Sequence, residues 1–171
     1  MVYLKELALT DGIEIHAMLQ EIAANDNGFH NKAYGMSYDR FREWLEKEYA
    51  VDHGALEDWM VPQTSYWLYD GDKPVGYGRL RHRLNQKLAE SSGHIGYAIR
   101  RSERGKGYGN ALLSLLLEEC RKRNIEKVQI GVNAENTASN RVVLRHGGVL
   151  VRTWERKNIY HIDLHSNTGK A

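Results

Sequence analysis

The apolar positions of the chain change period several times, and each change marks an element. "VYLKELAL" at residues 2–9 alternates well enough for a strand; Thr10 and Asp11 then offer a helix cap before "GIEIHAMLQEIAAN", where Ile13, Ala17, Leu19 and Ile22 fall near helical spacing. Residues 25–37, "NDNGFHNKAYGMS", read as loop, and "YDRFREWLEKEY" returns to the helical period with Phe41, Leu45 and Tyr49 on one stripe. "SYWLYD", the turn "GDKP" and "VGYGRLRHRL" predict an antiparallel hairpin, with Asp70 and Gly71 supplying the turn chemistry. A polar stretch, "LNQKLAESSG", separates it from the short apolar strand "HIGYAIR". A glycine-rich loop follows, then a helix from about Tyr108 to Asn124 that buries Leu112, Leu113, Leu116, Leu117 and Cys120. After the strand "EKVQIGV", Asn136 caps a helix running to His146 and ended by Gly147 and Gly148, and "VLVRTWER" and "NIYHIDL" close the chain as strands. The predicted order is β-α-α-β-β-β-α-β-α-β-β, an α+β arrangement around one mixed sheet flanked by helices.

Composition narrows this further. The 171 residues, 42% hydrophobic, suffice for one substantial core and not for a second full domain. Twenty-four Lys and Arg against 22 Asp and Glu leave a charge of +2, so no global field selects nucleic acid or an anionic membrane. There is no apolar run of membrane-spanning length, no signal-peptide pattern behind Met1 and one cysteine, which together lead us to expect a cytoplasmic protein. Cys120, on the apolar stripe of its helix, reads as a small buried hydrophobe. "GRLRHRLNQK" clusters Arg79, Arg81, Arg83 and Lys87 without interleaved aromatics and reads as a solvated hairpin face. His161 and His165 have metal-ligand spacing only on a helix, whereas "IYHIDLH" alternates like a strand; no metal is expected. The terminal "SNTGKA" is expected to fray.

The strongest chemical signal is "ERGKGYGNALLSLLLEEC", where Gly105, Gly107 and Gly109 stand at alternate positions before the longest aliphatic run. Such glycines let backbone N–H groups form a concavity, and the following helix adds its unpaired N–H groups and positive dipole end, an arrangement suited to phosphate. Arg100, Arg101, Arg104 and Lys106 add local positive charge. A Walker loop fails because Lys106 is followed by Gly107, and a dinucleotide fingerprint is weak because the third glycine comes one place early and the loop lies beyond residue 100.

The pattern Gln/Arg-x-x-Gly-x-Gly/Ala is met by residues 104–109, and it resembles motif A of the GNAT family of N-acetyltransferases. "NAENTASNRVVLRHGGVL" is similar to that family's second conserved block, and the element order is also that of its fold. The resemblance spans residues 66–164 by motif and the N-terminal part by element order, and is nearest to a branch of poorly characterised bacterial acetyltransferases. It implies a single domain over residues 1–171, with acceptor-side helices at about 11–60, an acetyl-CoA-binding core at about 94–148 and C-terminal strands at about 149–164. It further implies that the main chain of Tyr97, Ala98 and Ile99 pairs with the pantetheine arm. Arg104, Gly105, Lys106, Gly107, Tyr108 and Gly109 would hold the pyrophosphate, and Asn136, Ser139 and Asn140 would reach the cofactor from the next helix. The family's sheet splays between "IGYAI" and "QIGV", so the thioester would enter that gap.

Acetyl transfer to an amine needs an unprotonated nucleophile and a proton for the departing thiolate. For a lysine-like amine, neutralisation at pH 7 costs roughly 4–5 kcal/mol. The tyrosine that commonly serves the family as acid aligns with Val143, and the glutamate base of some histone-type members aligns with Gly93, so both roles are vacant. Substitutes are His94, the imidazole beside the motif, then Tyr97 and Glu90, with His82 and Tyr160 behind them. Asp26, Asp39, Glu43, Asp52, Glu57 and Asp58 could form an acidic rim for a cationic amine. The expected activity is acetyl-CoA-dependent N-acetylation of a small-molecule amine, without nucleic acid or membrane partners and with a homodimer open through the terminal strands. The alternatives are a non-catalytic acyl-CoA-binding module and a dinucleotide-dependent oxidoreductase.

Overall fold

The structure is a computed structural model that describes residues 1–165; "SNTGKA" lies outside them. In chain order the elements are β1 (Val2–Glu6), α1 (Ile13–Leu19), β2 (Asn25–Asp26), β3 (Phe29–His30), α2 (Tyr38–Asp52), β4 (Gln63–Asp70) and β5 (Lys73–Arg81). They continue with α3 (Gln86–Ser91), β6 (Ile95–Ile99), a 3-10 turn (Arg101–Glu103), α4 (Tyr108–Lys122), β7 (Lys127–Asn133), α5 (Thr137–Arg145), β8 (Val149–Trp154) and β9 (Lys157–Asp163). Every predicted element is present, and besides the 3-10 turn two unpredicted features join them.

The first is the β2–β3 hairpin in the stretch read as loop. Two residues per strand are too few to show a period, but Asn27 and Gly28, at φ 50° and 91°, are the positive-φ pair that a tight hairpin turn requires. The second is α3, which buries none of its residues. It stands on hydrogen bonds instead: the Asn85 side chain accepts from Leu88 N at 2.9 Å, and the Gln129 amide donates to Ala89 O and Ser92 O at 2.7 and 2.8 Å.

The α1 face also differs from the expectation. Ile15, Met18 and Leu19 are buried, with Ile22 just beyond, while Ile13 is 61% exposed. The helix stops early because the Asn31 amide takes Leu19 O and Ile22 O at 2.8 and 2.7 Å, satisfying its last carbonyls from outside. On α4 all five predicted residues are buried.

β1, β4, β5 and β6 form an antiparallel ladder in the order β1-β4-β5-β6, with a core on each face. Along β4, Tyr66 and Leu68 enter the core under α4, whereas Trp67 and Tyr69 enter the one under α1 and α2, which is why "SYWLYD" is a continuous apolar run and not an alternation. A second antiparallel ladder runs β7-β9-β8. The single mixed sheet expected from the sequence is thus two ladders, joined where His94 N donates to Gln129 O at 2.8 Å and Gln129 N donates to His94 Nδ1 at 3.0 Å. A Cβ on Gly93 would lie 2.1 Å from Gln129 O, so this approach admits only glycine. Past the junction β6 and β7 part around a cavity.

Candidate active site

Three cavities follow one another across the gap. The first, about 680 Å³, runs along the glycine loop and the start of α5 and reaches Tyr97, Ala98 and Ile99. The second, about 240 Å³, lies between residues 95–97 of β6 and 130–133 of β7. It shares Asp26, Asn27, Tyr97, Asn136 and Ser139 with the first. The third, about 300 Å³, opens between α2, the segment before β4 and the end of β5, and shares His30, Arg79, Arg81 and Leu88 with the second. A path therefore leads from the loop, through the splay, to the acceptor side.

The loop has the geometry its glycines foretold. Gly105 and Gly107 have φ 76° and 85°, and a Cβ at either would meet nothing within 4 Å, so both face open space in a conformation that favours glycine. Gly107 caps α4 without any side-chain hydrogen bond, leaving the first N–H groups of the helix to a ligand. Beside them the Asn110 side-chain oxygen is buried without a partner and its residue lines the groove. β6 is the last strand of its ladder, so past the junction its outer main-chain edge faces the gap. These features fit a pyrophosphate on the loop and an extended amide-bearing arm along Tyr97, Ala98 and Ile99.

The loop cations are already engaged. Arg104 Nη2 donates to Asp26 Oδ2 at 2.8 Å and its Nε to Ile99 O at 3.0 Å; Lys106 Nζ donates to Glu103 Oε2 at 2.8 Å, and Lys73 binds the other oxygen of that carboxylate. Tyr108 donates to Asp70 Oδ2 at 2.6 Å, tying α4 to the β4–β5 turn. Asn136 accepts from Ser139 N at 3.2 Å as the cap of α5 and lines both connected cavities. Asn140 stands apart from these cavities. Its amide nitrogen donates to Asn133 O and Asn136 O, its oxygen accepts from Tyr160 at 2.6 Å and from Asn158, and it lines none of the three cavities.

Of the proposed acids and bases, only Tyr97 stands in the gap. Its hydroxyl lies 3.0 Å from Ser139 Oγ, and burial raises its pKa against the opposing Ser139 hydrogen bond, so the phenol stays protonated at neutral pH. His94 is spent in the sheet junction: its Nδ1 lone pair accepts from Gln129 N, and burial, with His161 and Arg81 adding to it, lowers its pKa and keeps it neutral. Glu90 lies on the exposed side of α3 and accepts from Gln86 at 3.2 Å. His82 bonds Thr64 at 2.8 Å, and Tyr160 is a core residue. Cys120 is buried and its thiol is pushed up to about 12, mainly by desolvation, which leaves no thiolate for covalent catalysis.

The acidic rim does not assemble around the third cavity. Asp26 holds Arg104, Asp52 accepts from Ser65 N at 2.8 Å, Glu57 binds Trp59 Nε1 at 2.8 Å, and none of the six expected carboxylates lines that cavity. In their place the fold brings His30, from the stretch expected to be loop, and Arg79 and Arg81, from the hairpin face expected to be solvated. Alternation along β5 was the available signal for the two arginines, since it puts residues 79 and 81 on one face.

Among known proteins, the family model described as "Acetyltransferase (GNAT) family" matches residues 30–147, and the chain belongs to that family. A search of curated proteins finds no match. Among solved structures, the chain is similar to RimL, a ribosomal L7/L12 α-N-protein acetyltransferase in complex with coenzyme A, with 17% identity, TM-score 0.71 and 95% of each chain covered. It is also similar to MccE, a microcin C7 self-immunity acetyltransferase in complex with acetyl-CoA and AMP, with 16% identity, TM-score 0.70 and coverage of 95% of this chain and 92% of that one. A mutant spermidine/spermine N-acetyltransferase SpeG from Vibrio cholerae matches with 16% identity, TM-score 0.64 and coverage of 99% and 100%. At these identities the likeness is one of fold.

Proposed function

We propose that this GNAT-family acetyltransferase takes acetyl-CoA as donor and acetylates a primary amine by direct attack on the thioester. The observation that supports this most is the continuity of the three cavities, from an open glycine cradle, past a protonated phenol at the sheet splay, to a separate acceptor chamber. Relatives of the fold bound to CoA or acetyl-CoA agree with it. When bound, acetyl-CoA supplies an activated acyl group; a C–N bond forms, the C–S bond breaks, one proton leaves the amine and one arrives at sulfur.

The chain's own residues divide that work. Gly105, Gly107 and the α4 N-terminus hold the pyrophosphate through N–H groups, and the free edge of β6 orients the arm toward the splay. Tyr97, kept protonated by burial and hydrogen-bonded to Ser139, is the proton donor at the gap. His30 lines both the transfer cavity and the acceptor chamber and takes the amine's proton. Val149, Leu150 and Val151 lie 63%, 51% and 44% exposed on the edge strand β8, which supports a homodimer through the terminal strands, to be read as the mass of the particle in solution.

Thermal unfolding with acetyl-CoA, desulfo-CoA, NAD and ATP in parallel tests the cofactor. A ligand at about a hundred times its Kd adds ~2.7 kcal/mol, a Tm rise of roughly 5–10 °C for a chain of this size. A rise with both CoA species and not with NAD or ATP is the expected result; NAD alone would favour the oxidoreductase alternative. Tight CoA binding with no thiol release across an amine panel would favour the non-catalytic module.

A further inference from the structure

The acceptor chamber carries a charge pattern opposite to the one expected of a cation-binding site. Lys32, Arg79, Arg81 and Lys87 line it, against the single carboxylate of Glu48. Among the described residues neither Arg79 nor Arg81 forms an ion pair. Arg79 Nη2 donates to the Tyr77 hydroxyl at 3.1 Å, and Arg81 Nη1 donates to Gly93 O at 3.0 Å, so each guanidinium is oriented by neutral oxygens with donors to spare. Arg79 is braced further by the Phe29 and Tyr77 rings, 5.1 and 5.4 Å from its centre. Burial, and then the charge of Arg79, pull the Arg81 guanidinium down to about 10, costs that a bound anion would relieve. Two half-buried arginines on one face of a strand, neither in an ion pair although the charges of Glu48 and Asp52 favour the cation of Arg79, form a standing oxyanion site.

Their position says where the anion belongs. Arg79 and Arg81 line both the transfer cavity and the acceptor chamber, so an oxyanion between them sits at the doorway. An acceptor held there by its oxyanion has the transfer cavity, which Tyr97 also lines, on one side for its amine and the chamber on the other for whatever else its carbon bears. The chamber's other walls are apolar and aromatic: Trp44, Val51, Met60, Val61 and Trp59, the last 64% exposed at the rim. The Trp44 indole nitrogen is buried without a partner in a residue only 7% exposed, so this wall also has an unused donor.

We propose that the acceptor is an α-amino acid or its phosphonate counterpart with a bulky apolar side chain, its oxyanion held by Arg79 and Arg81 and its side chain packed between Trp44 and Trp59. This rests on the acetyltransferase reading above. It disfavours polyamines, whose charges would meet Arg79, Arg81 and, in the transfer cavity, Lys157.

The test uses full-length protein whose acetyl-CoA binding has first been established by its Tm rise. Thiol release is compared for L-phenylalanine, its 1-aminophosphonate analogue, 2-phenylethylamine, which lacks only the acid group, and spermidine. Loss of an oxyanion bound by two guanidiniums is expected to lower kcat/KM on the order of 100-fold for phenylethylamine relative to phenylalanine. The ratio between the phenylalanine and phosphonate rates then identifies which acid group the pair prefers. Arg81→Gln should close the gap between phenylalanine and phenylethylamine. A readout without turnover is calorimetry in the presence of CoA, where N-acetyl-L-phenylalanine should bind and N-acetyl-2-phenylethylamine should not. Phenylethylamine or spermidine equalling the amino acids overturns the proposal, as does absence of amino-acid turnover and product binding in protein that binds acetyl-CoA. Protein without any acetyl-CoA shift loses the acetyltransferase reading, and this inference with it.

Discussion

Two pairs of cations stand on the elements that border the connected cavities and are treated in opposite ways. Arg104 and Lys106, in the glycine loop, each hold a carboxylate at 2.8 Å, whereas Arg79 and Arg81, on β5, are oriented by neutral oxygens and, among the described residues, form no ion pair, with Glu48 acting on Arg79 only from across the chamber. The loop pair is conspicuous in the sequence and largely neutralised in the fold; the β5 pair reads as surface and is left charged at the doorway between cavities. A site that binds one ligand by shape can neutralise its side chains and rely on backbone N–H groups. A site that must choose among amines keeps its charges free, because specificity comes from what the wrong ligand leaves unpaired.

The sharpest way to break this comparison is Gly107→Val. The added side chain meets no wall, so the protein should fold, but a β-branched residue at φ 85° reshapes the loop and fills the cradle. The acetyl-CoA Tm rise of roughly 5–10 °C should disappear. An unchanged rise would mean that the loop is not the phosphate site.

Next comes the splay. Tyr97→Phe should lower kcat about 100-fold with little change in KM for acetyl-CoA, as expected for the loss of a proton donor. Since burial raises the Tyr97 pKa above 10, wild-type activity should show no loss from this group until the pH passes that value. His30→Gln should lower the rate about 10-fold, the loss of a proton acceptor that lines both the transfer cavity and the acceptor chamber. A turnover rate untouched by either change would remove both residues from the chemistry.

His94→Ala sharpens the distinction between chemistry and architecture. With its Nδ1 in the sheet junction, it should leave the pH–rate profile alone and lower Tm by roughly 2–8 °C, the loss of about 1–2 kcal/mol. Its folded pKa is depressed below 6.5, so unfolded chains bind the proton more readily and the wild type's advantage is present above that pH and shrinks as pH falls below it. The smallest effect belongs to Lys106→Ala, expected to weaken acetyl-CoA binding by less than about 5-fold because the charge removed is already balanced by Glu103. A loss approaching that of Gly107→Val would reverse the reading of the loop.

Much of the fold was legible because it follows from local rules. The stripe of Leu112, Leu113, Leu116, Leu117 and Cys120, the Asn136 cap, the turn at Gly71 and the positive-φ glycines of the loop each depend on residues within a few positions of one another. Those rules place the phosphate cradle at the head of a helix, and with the second motif they point to the family. Asn27 and Gly28 carry the signal of the short hairpin, but strands of two residues among polar neighbours show no period.

What local rules could not supply is which distant groups meet. That His94 faces Gln129 across 35 residues, and that Asp26 takes Arg104 across 78, depends on how two ladders join and where a hairpin folds over them. The charge state of a pocket depends on the same thing. Arg79 and Arg81 look alike in sequence whether or not carboxylates lie beside them, and only the packing of α2, β3 and β5 leaves them unpaired at the doorway. Helix caps and turns are energies of neighbours in the chain, and a sequence carries them directly; electrostatic pairing falls off with distance in space, and the folded chain sets that distance.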